Sequence, residues 1–136
     1  MQDDTTQPAP SYSAPALVRF ATELLTRSGM APEPAHSVAR TLVDGDLLGH
    51  DTHGLALLAG YVKEVEAGTM RREGAPQVIS DKPAAVLWDG QRLPGPWLVH
   101  QGIDLLVPRA RQLGSATLVI RRSHHIACLA VYMMRA

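Results

Sequence analysis

The chain has 136 residues, and its 13 lysines and arginines balance its 13 aspartates and glutamates. This balance argues against a nucleic-acid partner, which would require a basic surface, and no apolar run is long enough to span a membrane. A single cysteine excludes an intramolecular disulfide framework, so we expect a cytoplasmic protein. The length suits one modest domain or a piece of a larger one.

The first part of the chain predicts three helices. Residues 1–14 are polar and proline-rich, and we expect them to form a disordered lead. Helices are predicted over 15–28, 32–48 and 54–67, because apolar side chains recur there at steps of three and four residues. Residues 15–70 should therefore form a helical amino-terminal part.

The remaining residues, 71–136, predict strands that alternate with helices. In chain order these are strands over 77–81 and 84–90, a helix over 97–113, a strand over 115–122 and a helix from about 125 to the end. Pro108 should kink or split the first of these helices, and the apolar middle of the last strand predicts a buried strand. Ser123 is the expected cap of the last helix, which reaches Ala136 without a stop signal. We therefore expect an α/β fold of the α+β kind, with a small sheet that the chain leaves unfinished.

The segment GHDTHGLALLAGY, residues 49–61, places titratable side chains at the start of the third predicted helix. If that helix starts near His53, then His53, Leu57 and Tyr61 lie at steps of four and form one stripe. The positive end of a helix disfavours an imidazolium, which would leave His53 neutral and able to accept or donate a proton near pH 7.

Two other interpretations of this segment remain open. Asp51 and Thr52 can simply cap the helix while His53 packs against the protein. His50 and His53, three residues apart, can also hold a metal ion, although the sequence offers no evident third ligand.

The segment RRSHHIACLAVY, residues 121–132, places two histidines between a predicted strand and a predicted helix. Free N–H groups at the start of such a helix would bind a phosphate or a carboxylate. The alternative is an ordinary strand-to-helix turn whose histidines lie on the surface. Cys128 is most simply a small buried apolar residue. The sequence contains neither G-x-G-x-x-G nor a Walker motif, so the usual nucleotide-binding loops are absent from it.

Together the two segments resemble the malate/L-lactate dehydrogenase family that is unrelated to the Rossmann lactate dehydrogenases. That family includes sulfolactate and ureidoglycolate dehydrogenases and reductases of cyclic imino acids. Its pattern D-S-H-G-x-x-R-x-x-x-Y reads here as Asp51-Thr52-His53-Gly54, then Leu57, then Tyr61. A loop with Asp89-Gly90 and Gly95 follows, and the family's S-N-H-F-G reads as Ser123-His124-His125-Ile126-Ala127.

The resemblance implies reversible hydride transfer between NAD or NADP and a 2-hydroxy acid, or a related cyclic imine. It also implies a homodimer whose active site lies near the subunit interface. The implied fold is a non-Rossmann α/β arrangement with a mainly antiparallel sheet, in which residues 71–136 begin the cofactor-binding domain.

The resemblance further assigns roles to single residues. His53 with Thr52 matches the proton-donating pair of the imine reductases, and His125 matches the acid/base histidine of the hydroxy-acid members. Which of the two histidines moves the proton stays open. The other matches are substrate-side positions at Leu57 and Tyr61, and a cofactor-contacting segment formed by His125, Ile126, Ala127, Cys128 and Leu129.

Leu57 departs from the family pattern, which has an arginine at this position to pair with a substrate carboxylate. Leucine offers neither a charge nor hydrogen-bond donors. We therefore expect either that another cation, such as Arg121, takes the carboxylate or that the substrate is less anionic there.

Two other functions compete with this one. The first is an inactive, dimerising relative, which Leu57 and the early end of the chain favour. The second is a metal-dependent hydrolase that would use His50, His53, His124 and His125. If the chain is incomplete, we expect it not to turn over substrate alone and to leave apolar side chains uncovered, with Val119, Ile120, Leu129 and Met133 as candidates.

Overall fold

The computed structural model describes residues 11–136, so most of the predicted disordered lead lies outside the described residues. The helices are α1 (Ala14–Arg27), α2 (Pro32–Leu47), α3 (Leu58–Glu66), α4 (Gly95–Leu113) and α5 (Leu129–Arg135), and the strands are β1 (Gln77–Lys82), β2 (Ala85–Asp89) and β3 (Thr117–Arg121). The predicted α/β fold class is confirmed. None of the helices in the described residues is long and apolar enough to cross a membrane.

The first three helices enclose the main apolar core. α1 and α2 each have a proline in the first turn, where its missing N–H breaks no helical hydrogen bond. The inner faces of the helices bury Leu25, Val38, Leu42 and Val65 completely. Each such side chain typically contributes roughly 1.5–3 kcal/mol when it is removed from water.

The third helix begins later than predicted. Two short 3-10 turns precede α3, and Gly54 separates them with torsions of φ −98° and ψ −145° that interrupt the helix. The Asp46 carboxylate of α2 accepts the Leu55 N–H at 2.9 Å, so Asp46 holds this segment rather than either residue predicted to cap it. A Cβ at position 54 would lie 1.7 Å from an Asp46 carboxylate oxygen, which explains the glycine.

The three strands form one mixed sheet in the order β1–β2–β3. β1 and β2 pair antiparallel across a tight turn, and β2 and β3 pair parallel with α4 as the crossover. Of the two strand pairs in this sheet, one is therefore antiparallel and the other is parallel. Trp88 lies in the central strand between Val78 and Ile120. α4 runs without a break through Pro108, so the predicted split does not occur.

β3 is less buried than predicted. Its residues alternate between exposed and half-buried, because helix α4 packs against one face of the strand and the other face stays open. Of the side chains expected to be uncovered, Val119, Leu129 and Met133 are exposed by 55%, 66% and 79%. Ile120 is half-buried, since it points to the covered face.

The last helix begins at Leu129 rather than near His125. The Ser123 hydroxyl donates to the His124 carbonyl at 2.8 Å and does not cap a helix. Ala127 has a φ of 55°, which the interior of a right-handed helix does not allow. Residues 122–128 therefore form an irregular segment, termed here the β3–α5 connection.

A buried carboxylate fixes the start of this connection. Asp89, at the end of β2, is fully excluded from solvent and accepts hydrogen bonds from the Gln91 N–H at 2.9 Å and from Arg121 Nε and Arg122 Nε at 3.0 Å each. The Arg122 guanidinium, aided by the other donors, holds the pKa of Asp89 below its usual range. The ends of β2 and β3 are thereby joined at one point.

We expect Gly95→Ala to destabilise the protein by about 1–3 kcal/mol, the usual cost of forcing extra atoms into a packed site. A Cβ at Gly95 would lie 2.3 Å from the His125 carbonyl oxygen and 2.6 Å from that of His124, and main-chain atoms cannot move aside cheaply. The matched control is Gly60→Ala in α3, where a Cβ meets nothing within 4 Å. Urea unfolding of both variants checks this, and equal stabilities would contradict it.

Candidate active site

A cleft of about 190 Å³ lies between α3 and the β3–α5 connection. Its lining side chains come from both segments and are Leu57, Gly60, Tyr61, Glu64, Met70, His124 and His125. On the α3 side, Gly60, Tyr61 and Glu64 follow Leu57 by three, four and seven residues, so the four residues lie on one face of the helix. The cleft therefore forms where this stripe faces two consecutive histidines.

Tyr61 joins the two sides of the cleft. Its hydroxyl donates to the His125 carbonyl at 2.9 Å and lies 3.3 Å from His125 Nδ1. Burial raises the pKa of Tyr61, so the hydroxyl keeps its proton and remains a donor. The helical part and the β3–α5 connection are thus held together at the candidate site.

The hydrogen bonds of His125 fix its tautomer. The Ala127 N–H donates to His125 Nδ1 at 3.1 Å, and an N–H group can only donate. Nδ1 is therefore unprotonated, and the neutral ring has its proton on Nε2. Desolvation of the ring lowers the pKa of His125, and the nearby His53 and His124 act in the same direction. This histidine consequently favours the neutral state as an Nε2–H donor.

His53 lies beside His125, although it does not line the cleft. The two rings stack with centroids 6.1 Å apart and planes inclined by 22°. Thr52 Oγ1 lies 3.0 Å from His53 Nδ1, so the predicted histidine–hydroxyl pair is formed. Both side chains are exposed. The structure therefore brings together His53 and His125, which are 72 residues apart in the sequence.

His124 and Glu64 face each other across the cleft, with His124 Nε2 3.5 Å from Glu64 Oε2. The Thr69 hydroxyl donates to the same Glu64 carboxylate. Sequence reasoning assigned no role to Glu64 or to Met70. Glu64 lies three residues after Tyr61, so a stripe that also allows steps of three residues would have included it, whereas no sequence signal marks Met70.

The segment matched to a cofactor-contacting region spans the end of the connection and the start of α5. Ala127 and Cys128 are buried, Ile126 is half-buried and Leu129 is exposed. Cys128 is a free, buried cysteine, as expected. The histidines precede α5 by several residues, so they do not lie at the start of a helix as the sequence predicted.

Arg121 does not line the cleft, since its guanidinium binds Asp89. It is therefore not placed to replace the missing arginine at position 57 within this cleft. In the described part of the chain, no group of three or more histidine, cysteine, aspartate or glutamate side chains could hold a metal ion. No observation on residues 11–136 thus favours the hydrolase.

Comparison with known proteins places these residues in context. The family model described as malate/L-lactate dehydrogenase matches residues 12–136. Hydroxycarboxylate dehydrogenase B of Escherichia coli O157:H7 is 30% identical over 115 residues, which cover 85% of this chain and 32% of that protein. The delta(1)-pyrroline-2-carboxylate reductase of Ancylobacter novellus is 29% identical over 79% of this chain and 31% of its own length.

The same fold occurs in solved structures. Malate dehydrogenase from Pyrococcus horikoshii OT3 superposes with a TM-score of 0.89 and 28% sequence identity, over 93% of this chain and 36% of that one. The chain therefore spans about a third of the length of the relatives it matches.

We expect Ala127→Gly to leave the free energy of unfolding within about 0.5 kcal/mol of the parent, because relief of the left-handed backbone is offset by loss of a buried methyl group, worth roughly 0.8 kcal/mol. Ala127 adopts a φ of 55°, and the left-handed region costs a residue with a Cβ roughly 1–2 kcal/mol while it costs glycine little. Part of the gain is lost because glycine has more freedom in the unfolded chain. Ala130→Gly, in α5, is the control and should destabilise. Chemical denaturation compares the two, and a loss of stability in Ala127→Gly as large as that in Ala130→Gly would contradict the expectation.

We expect the free energy of unfolding to fall as the pH drops from 7 to 5. Burial lowers the pKa of His100 and of His125 in the folded state, so the unfolded chain binds more protons below about pH 6.5. His100→Gln and His125→Gln should each reduce this pH dependence, whereas His36→Gln, on the exposed face of α2, serves as the control. Urea titrations at the two pH values measure it, and an unchanged slope in both variants would refute it.

Proposed function

The chain belongs to the malate/L-lactate dehydrogenase family, and from this premise we propose that it forms part of an oxidoreductase that acts on 2-hydroxy acids and 2-oxo acids, or on related cyclic imines. Hydride would pass between the substrate and NAD or NADP. The observation that supports this best is the pair of stacked histidines, His53 and His125, at the edge of a small cleft. Family membership also supports a homodimer as the assembly.

The size and the donors of the cleft fit the acid rather than the whole cofactor. Ligand sites for larger molecules usually occupy roughly 300–1,000 Å³, and this cleft has about 190 Å³, which suits a small acid. His125 offers one Nε2–H donor in its neutral form. The segment from His125 to Leu129 would hold the reactive end of the cofactor, which supplies the hydride when bound.

In the reductive direction, side chains of this chain would supply the proton that the substrate oxygen needs. Hydride addition to a carbonyl carbon leaves an alkoxide, which must gain one proton to become the alcohol. We assign the polarisation of the carbonyl to His125. Its neutral ring can donate a hydrogen bond from Nε2–H to the substrate oxygen and keep that proton. We assign delivery of the proton to His53, whose exposed ring lies against His125 and can be recharged from solvent. In the oxidative direction both steps reverse.

We expect His125→Ala, in a version of the protein with the full length of its relatives, to lower kcat by ~10²–10³-fold, the usual loss when a hydrogen-bond donor to the developing oxyanion is removed. His124→Ala should lower kcat far less than His125→Ala does, because neither carbonyl polarisation nor proton delivery is assigned to His124. NADH or NADPH oxidation with a 2-oxo acid, in single-turnover experiments at saturating cofactor, measures both. His36→Ala is the control, and equal losses in His124→Ala and His125→Ala would refute the assignment.

We expect Leu57→Arg to improve kcat/KM for small 2-oxo acids such as pyruvate by roughly ten- to hundredfold. Leu57 lines the cleft, and a guanidinium there would form a charge-assisted pair worth about 1.5–3 kcal/mol with the substrate carboxylate. Leu57→Gln, which is polar but uncharged, is the matched control and should gain much less. If kcat/KM is unchanged or falls in the arginine variant, Leu57 does not contact the substrate.

A further inference from the structure

Two side chains of the cleft can be charged without belonging to the stacked histidine pair. They are His124, on the β3–α5 connection, and Glu64, on α3. The remaining lining residues on the α3 side are an aliphatic Leu57, a glycine and the Tyr61 hydroxyl, whose proton is retained. Any anionic group that enters the cleft must therefore interact with the charges of His124 and Glu64.

The main chain holds His124 in place from three directions. Its N–H donates to the Leu93 carbonyl at 3.1 Å, and its carbonyl accepts the Ser123 hydroxyl at 2.8 Å. Gly95 packs directly against the same carbonyl, where a Cβ would lie 2.6 Å away. The main chain that carries the imidazole is consequently held beside the cleft before any ligand arrives.

The ring of His124 has unused hydrogen-bonding capacity among residues 11–136. Nδ1 is buried without a partner, and Nε2 lies 3.5 Å from Glu64, which is long for a hydrogen bond. Its side chain is still 23% exposed towards the cleft. An incoming carboxylate would accept a closer hydrogen bond from the His124 ring than Glu64 does at 3.5 Å.

Glu64 is a fixed negative charge at the same place. The Thr69 hydroxyl, with smaller contributions from His124 and Arg92, lowers the pKa of Glu64, so the group stays ionised near neutral pH. A second anionic group on a ligand would meet this carboxylate with no further cation on the lining of the described cleft.

We propose that His124 binds the carboxylate shared by all 2-hydroxy acids and that Glu64 excludes a second anionic group, so that the site selects monocarboxylates with uncharged side chains over dicarboxylates. This inference rests on the proposed function, because that function makes the ligand a 2-hydroxy acid. The cleft supplies room for an uncharged side chain at Gly60, where an added Cβ would meet nothing within 4 Å, and apolar contact at Leu57 and Met70.

The test compares binding of L-lactate and L-malate, which differ by one carboxylate. Titrations of the 136-residue chain followed by NMR give the two dissociation constants without cofactor and without turnover. The parent chain should bind lactate more tightly than malate. His124→Gln should weaken lactate binding by about tenfold or more, the usual loss for a charge-assisted hydrogen bond.

The Glu64 variants test the second half of the proposal. Glu64→Gln should raise the affinity for malate relative to lactate by several-fold, because the repulsion is removed. Glu66→Gln, on the exposed side of the same helix, and His36→Gln, on α2, are the matched controls and should leave both constants unchanged. His124→Asn and thermal melting of every variant separate a lost contact from a lost fold.

Three outcomes would overturn the proposal: no saturable lactate binding by the parent chain, unchanged lactate binding in a folded His124→Gln, or an unchanged malate-to-lactate ratio in Glu64→Gln. Failure of hydride transfer in the separate oxidation assay would overturn the proposed function and leave these binding results as they are. The two proposals therefore fail by different measurements.

Discussion

The hydrogen bond from the Tyr61 hydroxyl to the His125 carbonyl is the constraint on which the candidate site depends. It links a residue of α3, which belongs to the helical core, to the irregular connection that follows the sheet. It ties the stripe on α3 directly to the backbone that carries the two histidines. Because Tyr61 is buried, the bond competes with little water, and this makes it worth more than an exposed hydrogen bond.

The connection that presents the histidines is held at both ends by polar contacts and close packing rather than by regular secondary structure. Asp89 fixes its first residue through two arginines, and Ala127 closes its far end with a left-handed backbone and an N–H bond to His125. Such backbone is costly and persists only where its surroundings impose it. In this connection the strained backbone holds His125 in one tautomer, which a flexible loop would not do.

The sequence predicted the parts of the fold that depend on local periodicity and missed those that depend on contacts between distant residues. The positions of α1, α2 and the first two strands follow from the spacing of apolar residues and from the prolines and glycines near their ends. The late start of α3 depends on Asp46, which approaches Gly54 from another helix. The late start of α5 depends on the torsions of Ala127, which has no signature in a single sequence.

The same distinction applies to the site. Steps of four residues indicated that Leu57 and Tyr61 share a face, but only the tertiary structure places His124 opposite Glu64. The charges near the cleft are then divided between two clusters. Asp89 engages Arg121 and Arg122 outside the cleft, whereas Arg92 lies near enough to Glu64 to help lower the pKa of that carboxyl. The cleft retains two histidines, of which His125 favours the neutral state, and the carboxylate of Glu64. Among the described residues, the lining of the cleft thus offers imidazole and hydroxyl groups beside one carboxylate.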